Sequence, residues 1–386
     1  MGHIRKRGPG RWQARYRGPD GRERARTFAR KGDAQRYLST VEADKLRGLW
    51  LDPALGKTRF SEWAERWMAT NVHLKPKSRH GYESLLRCHV VPRFGDIPLA
   101  RIDRLMVRQW VADLDASGLS PARIRQAHRV LSMALASAVE SGVLAKNPAS
   151  GVKLPRVLPA EAIFLTAAQV EALADAIDEP YRVLVFILAY GGLRWGEVAA
   201  LRRHRVDLNR SHIRVVASLA EVGGVNHFGS TKTYDRRTVV LPAFVRRELA
   251  EHLILRGPSD PRGLVFLSAR GRPLRHSNFR RRVWLPAVRA AGVPDAVRMH
   301  DLRHTCASLL IAEGAHPKVI QEHLGHSSII VTMDTYGHLY PSAMEKWAVR
   351  LNEMRTAVVR GLPAPERLDT ATTVALALRK DPWPFT

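Results

Sequence analysis

The first pattern along the chain is a short alternation. Trp12, Ala14 and Tyr16 fall between polar residues at strand period, Gly18-Pro19-Asp20-Gly21 marks a turn, and Arg22–Phe28 reads as the returning strand. Asp33 stands at an N-cap position and predicts a helix from Ala34 to about Leu46. From Lys57 the period becomes helical. Phe60, Trp63, Ala64, Trp67 and Met68 recur at i, i+3, i+4, i+7 and i+8, so the two tryptophans are expected in a core rather than on a base-stacking face. Tyr82, Leu85, Leu86 and Val90 mark a second helix. Asp103 caps a third, with Val107, Trp110, Val111 and Leu114 inward, and Ser120-Pro121 opens a fourth that Gly142 closes. Four helices with short links predict a compact all-α bundle.

Asn147–Pro159 holds three prolines with Lys153 and Arg156, and reads as an extended basic linker. Beyond it, Thr166 and Gln169 form a capping-box pattern for a helix through Ile177. Val183–Tyr190 is a buried, helical element. Val206–Leu208 and Ile213–Val216 flank a turn at Asn209-Arg210-Ser211, Thr238–Leu241 is a third strand, and the pattern from Ala243 is mainly helical. The expected organisation is multidomain: a small α+β module at 1–55, the bundle at 57–145, a linker at 146–160, a mainly-α domain with a small β-sheet at 161–350, and a tail at 351–386. That tail is expected to be partly disordered, with a short helix at Thr370–Arg379.

Charge adds a partner. The 386 residues carry 62 Lys and Arg against 36 Asp and Glu, a formal net charge of +26. With 45% hydrophobic residues the chain can fold, so charge of this density points to a polyanion, nucleic acid before an anionic membrane. Residues 1–31 alone hold eleven basic residues and two acidic ones. Two cysteines exclude a disulfide scaffold and a thiolate zinc site, and indicate a reducing compartment. The longest apolar run, Val183–Leu193, is far short of the roughly 20 residues a membrane span needs, and the basic N-terminus lacks the apolar core of a signal peptide. Candidate DNA contacts are Arg5, Lys6, Arg7, Arg11 and Arg15 in the first module, Lys75, Lys77, Arg79 and Arg123 on polar positions of the bundle, and Lys153 in the linker; in the bundle, phosphate and plain water fit the pattern equally.

Several stretches of the last domain combine unusual residue types. Arg194 follows the apolar element in Gly192-Leu193-Arg194-Trp195-Gly196-Glu197, Lys232 lies in Ser230-Thr231-Lys232-Thr233, and His300 and Arg303 are three apart in His300-Asp301-Leu302-Arg303-His304. His326 follows a helix stop in Leu324-Gly325-His326, and Tyr336 lies in Asp334-Thr335-Tyr336-Gly337-His338. Each alone has a plain structural reading. Together they are what metal-free phosphoryl transfer needs: guanidinium forks for the equatorial oxygens, a nucleophile, a proton acceptor and a donor to the leaving alkoxide.

This ordered set, over nearly the whole chain, resembles the tyrosine recombinases, specifically the phage-type integrases. The resemblance implies an arm-type DNA-binding module, a helical core-binding module and a catalytic domain, the last two closing as a clamp on double-stranded DNA. It implies that Tyr336 attacks the scissile phosphate to leave a 3′-phosphotyrosine. Arg194 and Arg303 hold the non-bridging oxygens, Lys232 on a mobile hairpin protonates the 5′-oxygen, His300 accepts the tyrosine proton, and His326 bonds a phosphate oxygen. Glu197 and Asp301 support these groups. It further implies no metal, no cofactor and no membrane partner. A homotetramer on DNA resolves a Holliday junction, with a DNA-bending protein and a directionality factor as further partners and the bacterial host cytoplasm as location. The segment after Tyr336 is expected to pack on a neighbouring subunit.

Rival readings are a dimer-resolving recombinase or a type IB-like topoisomerase, and a catalytically inactive DNA-binding regulator. The arm-type module favours an integrase. A zinc protease reading pairs His300 and His304 at i, i+4 with Asp301 as base and His316, His323 or His326 as third ligand, but Arg303 between the ligands repels a divalent cation.

Overall fold

The computed structural model describes residues 2–47, 50, 52, 55–158, 161–230, 236–340 and 344–360, with the side chains of 345–347 outside that description. The chain divides into two compact units, Met1–Pro159 and Ala160–Thr386.

The first unit opens with three antiparallel strands, β1 (His3–Gly8), β2 (Arg11–Arg17) and β3 (Glu23–Phe28), backed by α1 (Lys31–Leu46). Strand alternation puts Ala14 and Tyr16 against Ala34, Leu38 and Val41 of the helix. The same alternation places Arg11, Gln13 and Arg15 on the opposite face, with Arg5 across from Gln13 and His3 across from Arg15. β1 has only Ile4 as an apolar residue, so its own pattern carries no strand signal; the backbone pairing with β2 makes it one. α1 also begins earlier than its sequence suggests. Arg30, not Asp33, is the N-cap residue, and Asp33 sits in the first turn, where it accepts from Arg36 at 2.5 Å and faces the positive helix end.

The bundle comprises α2 (Phe60–Thr70), α3 (Pro76–Leu85), α4 (Val91–Phe94), α5 (Arg104–Ala116) and α6 (Pro121–Glu140). Both tryptophans of α2 serve the core: Trp67 stacks on Tyr82 at 6.2 Å, and Trp63 Nε1 donates to Ala134 O at 2.9 Å. Asp103 caps α5 by accepting from Met106 N at 2.8 Å. Ser120 occupies the N-cap of α6 without a side-chain bond, so Pro121 at the first helical position carries that start. The linker is more firmly held than its proline content suggests. Asn147 Nδ2 donates to Ser132 O, the His128 ring meets Ala149 O, and Arg125 Nε donates to Pro155 O at 2.8 Å, all along α6. It is fastened to the bundle as far as Pro155 rather than freely extended.

In the second unit, α7 (Ala167–Ala176) starts with the expected capping box, and α8 (Arg182–Ala189) is buried from Val183 to Ala189 on every side. α9 (Trp195–Ala199) leads into β4 (Val206–Asp207) and β5 (His212–Val215). A hairpin follows, β6 (Ala217–Val222) and β7 (Val225–Ser230), which the apolar pattern did not indicate. Its turn is Gly223-Gly224 with φ of +55° and +78°, the double positive φ of a type I′ turn. β8 (Arg237–Val240) completes a three-stranded sheet in the order β4-β5-β8. Helices α10 (Ala243–Arg256), α11 (His276–Phe279), α12 (Leu285–Ala290), α13 (Asp301–Ala312), α14 (Pro317–Leu324), α15 (Ile329–Tyr336) and α16 (Met344–Val359) follow. α16 runs through the boundary expected at residue 350. The expected helix at Thr370–Arg379 lies outside the described residues. Among those described, no helix is long and apolar enough to cross a membrane.

Candidate active site

Gly191-Gly192 turns the chain sharply out of α8. Gly192 has φ +62°, and a Cβ there would lie 2.6 Å from Leu324 Cδ2 and 3.0 Å from Cys306 Sγ, so the turn tolerates glycine alone. It delivers Arg194 to the N-cap of α9, one turn from Glu197. The Glu197 carboxylate, 1% exposed, accepts from Arg194 N at 2.8 Å and Nη1 at 2.9 Å. It also accepts both terminal nitrogens of Arg237 on β8, at 2.9 and 2.7 Å. Burial alone would raise the Glu197 pKa, but the two guanidiniums overcome it and pull it down to about 2. Glu197 therefore binds Arg194 and also Arg237, a second arginine that sequence reasoning did not assign.

Arg303, 2% exposed on α13, donates to Gly192 O at 2.5 Å and Leu324 O at 2.6 Å. Burial first, then the Arg194 and Arg237 charges, push its pKa down to about 9, which leaves it cationic at neutral pH. Arg194 Nη2 reaches Gly325 O at 3.3 Å, and Arg237 Nε reaches His323 O at 3.2 Å. Gly325, at φ +68°, stops α14 and lets Arg237 lie directly against its backbone. Three arginines thus converge on the turn between α14 and α15. That turn carries His326, whose Nδ1 pairs with Thr332 Oγ1 at 2.8 Å.

Tyr336 ends α15 and is 1% exposed. Its ring stacks on His326 at 6.2 Å and 13°, and its hydroxyl meets His304 Nδ1 at 2.9 Å. Burial raises the phenol's pKa to about 12 against the pull of Arg303. His300, assigned by resemblance to accept the tyrosine proton, stands one turn back and packs edge-on to His304 at 4.9 Å. Asp301 does not reach the site arginines. It is fully buried and takes Arg298 N, Nε and Nη2 at 2.7, 2.9 and 2.6 Å, fixing the start of α13. This engagement removes it as the free base of a zinc protease, and among the described residues no group of three or more His, Cys, Asp or Glu is placed to hold a metal. Lys232 lies outside the described residues, between β7 and β8.

Two residues were missed. Arg237 sits beside the lysine loop, where several basic residues compete, and its contacts with Glu197, 40 positions away, and His323 O, 86 away, separate it from them. His304 follows Arg303 and shares a helix face with His300, a spacing that the sequence does display.

Of the expected DNA contacts, Arg5, Arg7 and Arg11 are exposed and Arg15 is partly so; Arg7 and Arg15 lie against Gln13 and Glu23 respectively. Lys6 is exposed as well, and its ammonium lies over the Trp12 ring at 5.6 Å. Arg79 is occupied in closing α2, donating to Met68 O and Asn71 O. Lys77 and Lys153 are exposed, and Lys75 and Arg123 partly so.

The histidines set the acid limit of this unit. Crowding by protein atoms comes first, neighbouring cations second, in holding His326 at about 4; His300 is lowered in the same way, but it is exposed, so solvent screening leaves it a small share of the effect on stability. His304 and His323 are also lowered, chiefly by burial. Unfolded, these groups titrate near 6.5, so below that pH the unfolded chain binds protons the folded chain refuses. Stability is therefore full above about pH 6.5 and declines as pH falls toward about 4. Glu197 acts lower, its contribution present above its unfolded value and lost toward about pH 2. Calorimetry from pH 8 to 4.5 should show the melting temperature flat, then falling below about 6.5; a flat curve to pH 5 contradicts the assignment.

This geometry, a buried tyrosine among fixed guanidiniums and histidines on a helical domain with a small sheet, defines a tyrosine recombinase catalytic domain. Residues 163–343 match the phage integrase family, residues 1–47 the phage integrase N-terminal domain, and residues 59–114 the phage integrase N-terminal SAM-like domain. The chain is 31% identical to the putative prophage phiRv2 integrase of Mycobacterium tuberculosis, over 85% of this chain and 89% of that protein. It is 29% identical to the integrase of Mycobacterium phage D29, over 92% and 96%. In fold it is similar to a Tn1549 transposon integrase in complex with transposon right end DNA (TM-score 0.65, 21% identity, 78% of this chain and all of that one). It is also similar to a lambda integrase tetramer bound to a Holliday junction (TM-score 0.56, 17% identity, 86% and 94%). The chain belongs to the phage integrase family of tyrosine recombinases and is a site-specific DNA recombinase.

Proposed function

We propose that Tyr336 cleaves DNA by in-line attack on a phosphodiester, forming a 3′-phosphotyrosine and freeing a 5′-hydroxyl, and that rejoining to a partner strand integrates or excises a mobile element. The observation that carries this is the placement of Tyr336 Oη against a histidine within the field of Arg303 and Arg194. Arg194 and Arg303 clamp the non-bridging oxygens, held by Glu197 and by main-chain carbonyls. His326 bonds a phosphate oxygen while Thr332 holds its other side. Lys232 protonates the leaving 5′-oxygen, a role resting on the family resemblance. The ester conserves the bond energy, so the cycle needs neither ATP nor metal.

In this reading residues 57–145 and 161–350 grip the core site across the linker at 146–160, residues 1–55 bind arm sites, and 351–386 pack on a neighbouring subunit. Four chains assemble on two duplexes, an arrangement supported by the lambda integrase tetramer on a Holliday junction. A bending protein and a directionality factor complete the assembly in the host cytoplasm. The arm module favours integration of an element over dimer resolution or relaxation.

The direct test is a nicked core-site substrate in chelator-containing buffer. A covalent protein–DNA species should accumulate, with the nucleotide on the peptide bearing Tyr336; attachment elsewhere, or cleavage only with magnesium, refutes the reading. The arm assignment is tested by salt. Arg11→Ala should weaken arm-DNA binding uniformly and reduce the slope of log K against log salt by about 1; an unchanged slope contradicts the arm-contact assignment.

A further inference from the structure

Cleavage needs the phenolic proton to leave as the Tyr336 oxygen attacks, and the family resemblance gives that task to His300. The structure brings a different ring to the oxygen. We infer that His304 is the catalytic group that takes this proton, His300 serving as its neighbour; the inference rests on Tyr336 being the nucleophile.

The geometry is direct. Among the described residues, His304 Nδ1 is the one side-chain atom hydrogen-bonded to Tyr336 Oη, at 2.9 Å. A general base has to stand within hydrogen-bond reach of the proton it removes, and this distance meets that requirement before any DNA is bound. A neutral imidazole with Nδ1 as acceptor carries its own proton on Nε2. His304 is only partly buried, so the ring can pass the proton on to solvent; burial lowers its pKa, against the pull of the nearby Asp301 carboxylate, so the ring rests neutral and free to accept. His300 contacts the edge of the His304 ring at 4.9 Å and has no bond to Tyr336. The other cations near the hydroxyl, Arg303 and Arg194, cannot accept a proton.

The step balances without a further reagent. The Tyr336 O–H bond breaks and its proton moves to His304 Nδ1. The Oη–P bond forms, the P–O5′ bond breaks, and the departing 5′-oxygen takes a proton from the leaving-group acid. Rejoining runs the same transfers backwards, and the imidazolium returns a proton to the tyrosine oxygen.

The test separates the tyrosine's base from the leaving group's acid. Wild-type, His304→Ala, His304→Asn and His300→Ala chains are given a nicked core-site duplex, once with a normal phosphodiester and once with sulfur as the 5′-bridging atom. A thiolate leaves unprotonated, so sulfur restores a variant lacking the acid and cannot restore one lacking the base. Both His304 variants should bind DNA normally and form adduct about 10²–10⁴-fold more slowly, with sulfur giving no recovery, while His300→Ala loses less. The asparagine keeps a polar partner for the hydroxyl and checks that packing alone is not the cause. An undiminished rate in His304→Ala overturns the inference, and a faster one shows instead that the bond restrains the tyrosine. Full recovery on sulfur also overturns it. A wild-type chain that forms no adduct fails the phosphotyrosine reading itself.

Discussion

Tyr336→Phe should abolish the covalent DNA species, lowering adduct formation by more than about 10⁴-fold, while DNA affinity stays within about threefold of wild type. The substitution removes one oxygen from a fully buried ring. The ring keeps its stack on His326 and its packing beside Cys306, Ile320 and Leu324. What is lost is the bond to the half-buried His304 ring, a net loss of about 0.5–1.5 kcal/mol. Affinity for DNA comes mainly from phosphate contacts by basic side chains spread over the chain, none of which this change touches. Gel separation of covalent species and filter binding on the same preparation read both quantities. An adduct formed by the phenylalanine variant would remove Tyr336 from the mechanism.

How much of this was legible in the sequence depends on the range of the interaction. Elements closed within four residues could be read: the cap of α5 by Asp103, the capping box of α7, the α2 stripe and the buried α8. The ordered site series Arg194, His300, Arg303, His326 and Tyr336 was legible as a resemblance, and the structure gathers those five on one side of α13 and its neighbours. Pairings between polar segments were not legible. β1 and the β6–β7 hairpin lack a sustained apolar face and exist through backbone hydrogen bonds to a partner strand, although Gly223-Gly224 did offer a turn signal. Contacts across distance were equally silent. Arg237 gains its place from Glu197, His304 from Tyr336 across 32 positions, and Lys6 from a tryptophan on the facing strand. Local reading also misplaced the start of α1, because an acidic first-turn residue and an N-cap residue give the same signature within three positions.

Glu197→Ala should destabilise the catalytic unit by about 3–5 kcal/mol, the range expected when one partner of a buried ion pair is removed. Among the described residues the carboxylate is the one anion holding Arg194 and Arg237, with Arg303 a third guanidinium close enough for both to depress its pKa. Without it, two charges lose their partner in a buried region and all three repel. At roughly 2–4 °C per kcal/mol for a unit of this size, the melting temperature should fall by about 6–20 °C. The sign of a second change separates charge from packing. Adding Arg237→Met to Glu197→Ala removes one of the stranded cations, so the double variant should be more stable than Glu197→Ala alone; simple additivity of the two losses would show that the carboxylate matters only as filler. The same logic reaches substrate. A DNA phosphate brought to Arg194 and Arg303 supplies negative charge where Glu197 no longer does, so core-site DNA should raise the melting temperature of Glu197→Ala more than that of wild type. If DNA stabilises both equally, the arginines held by Glu197 are not the ones that receive the phosphate.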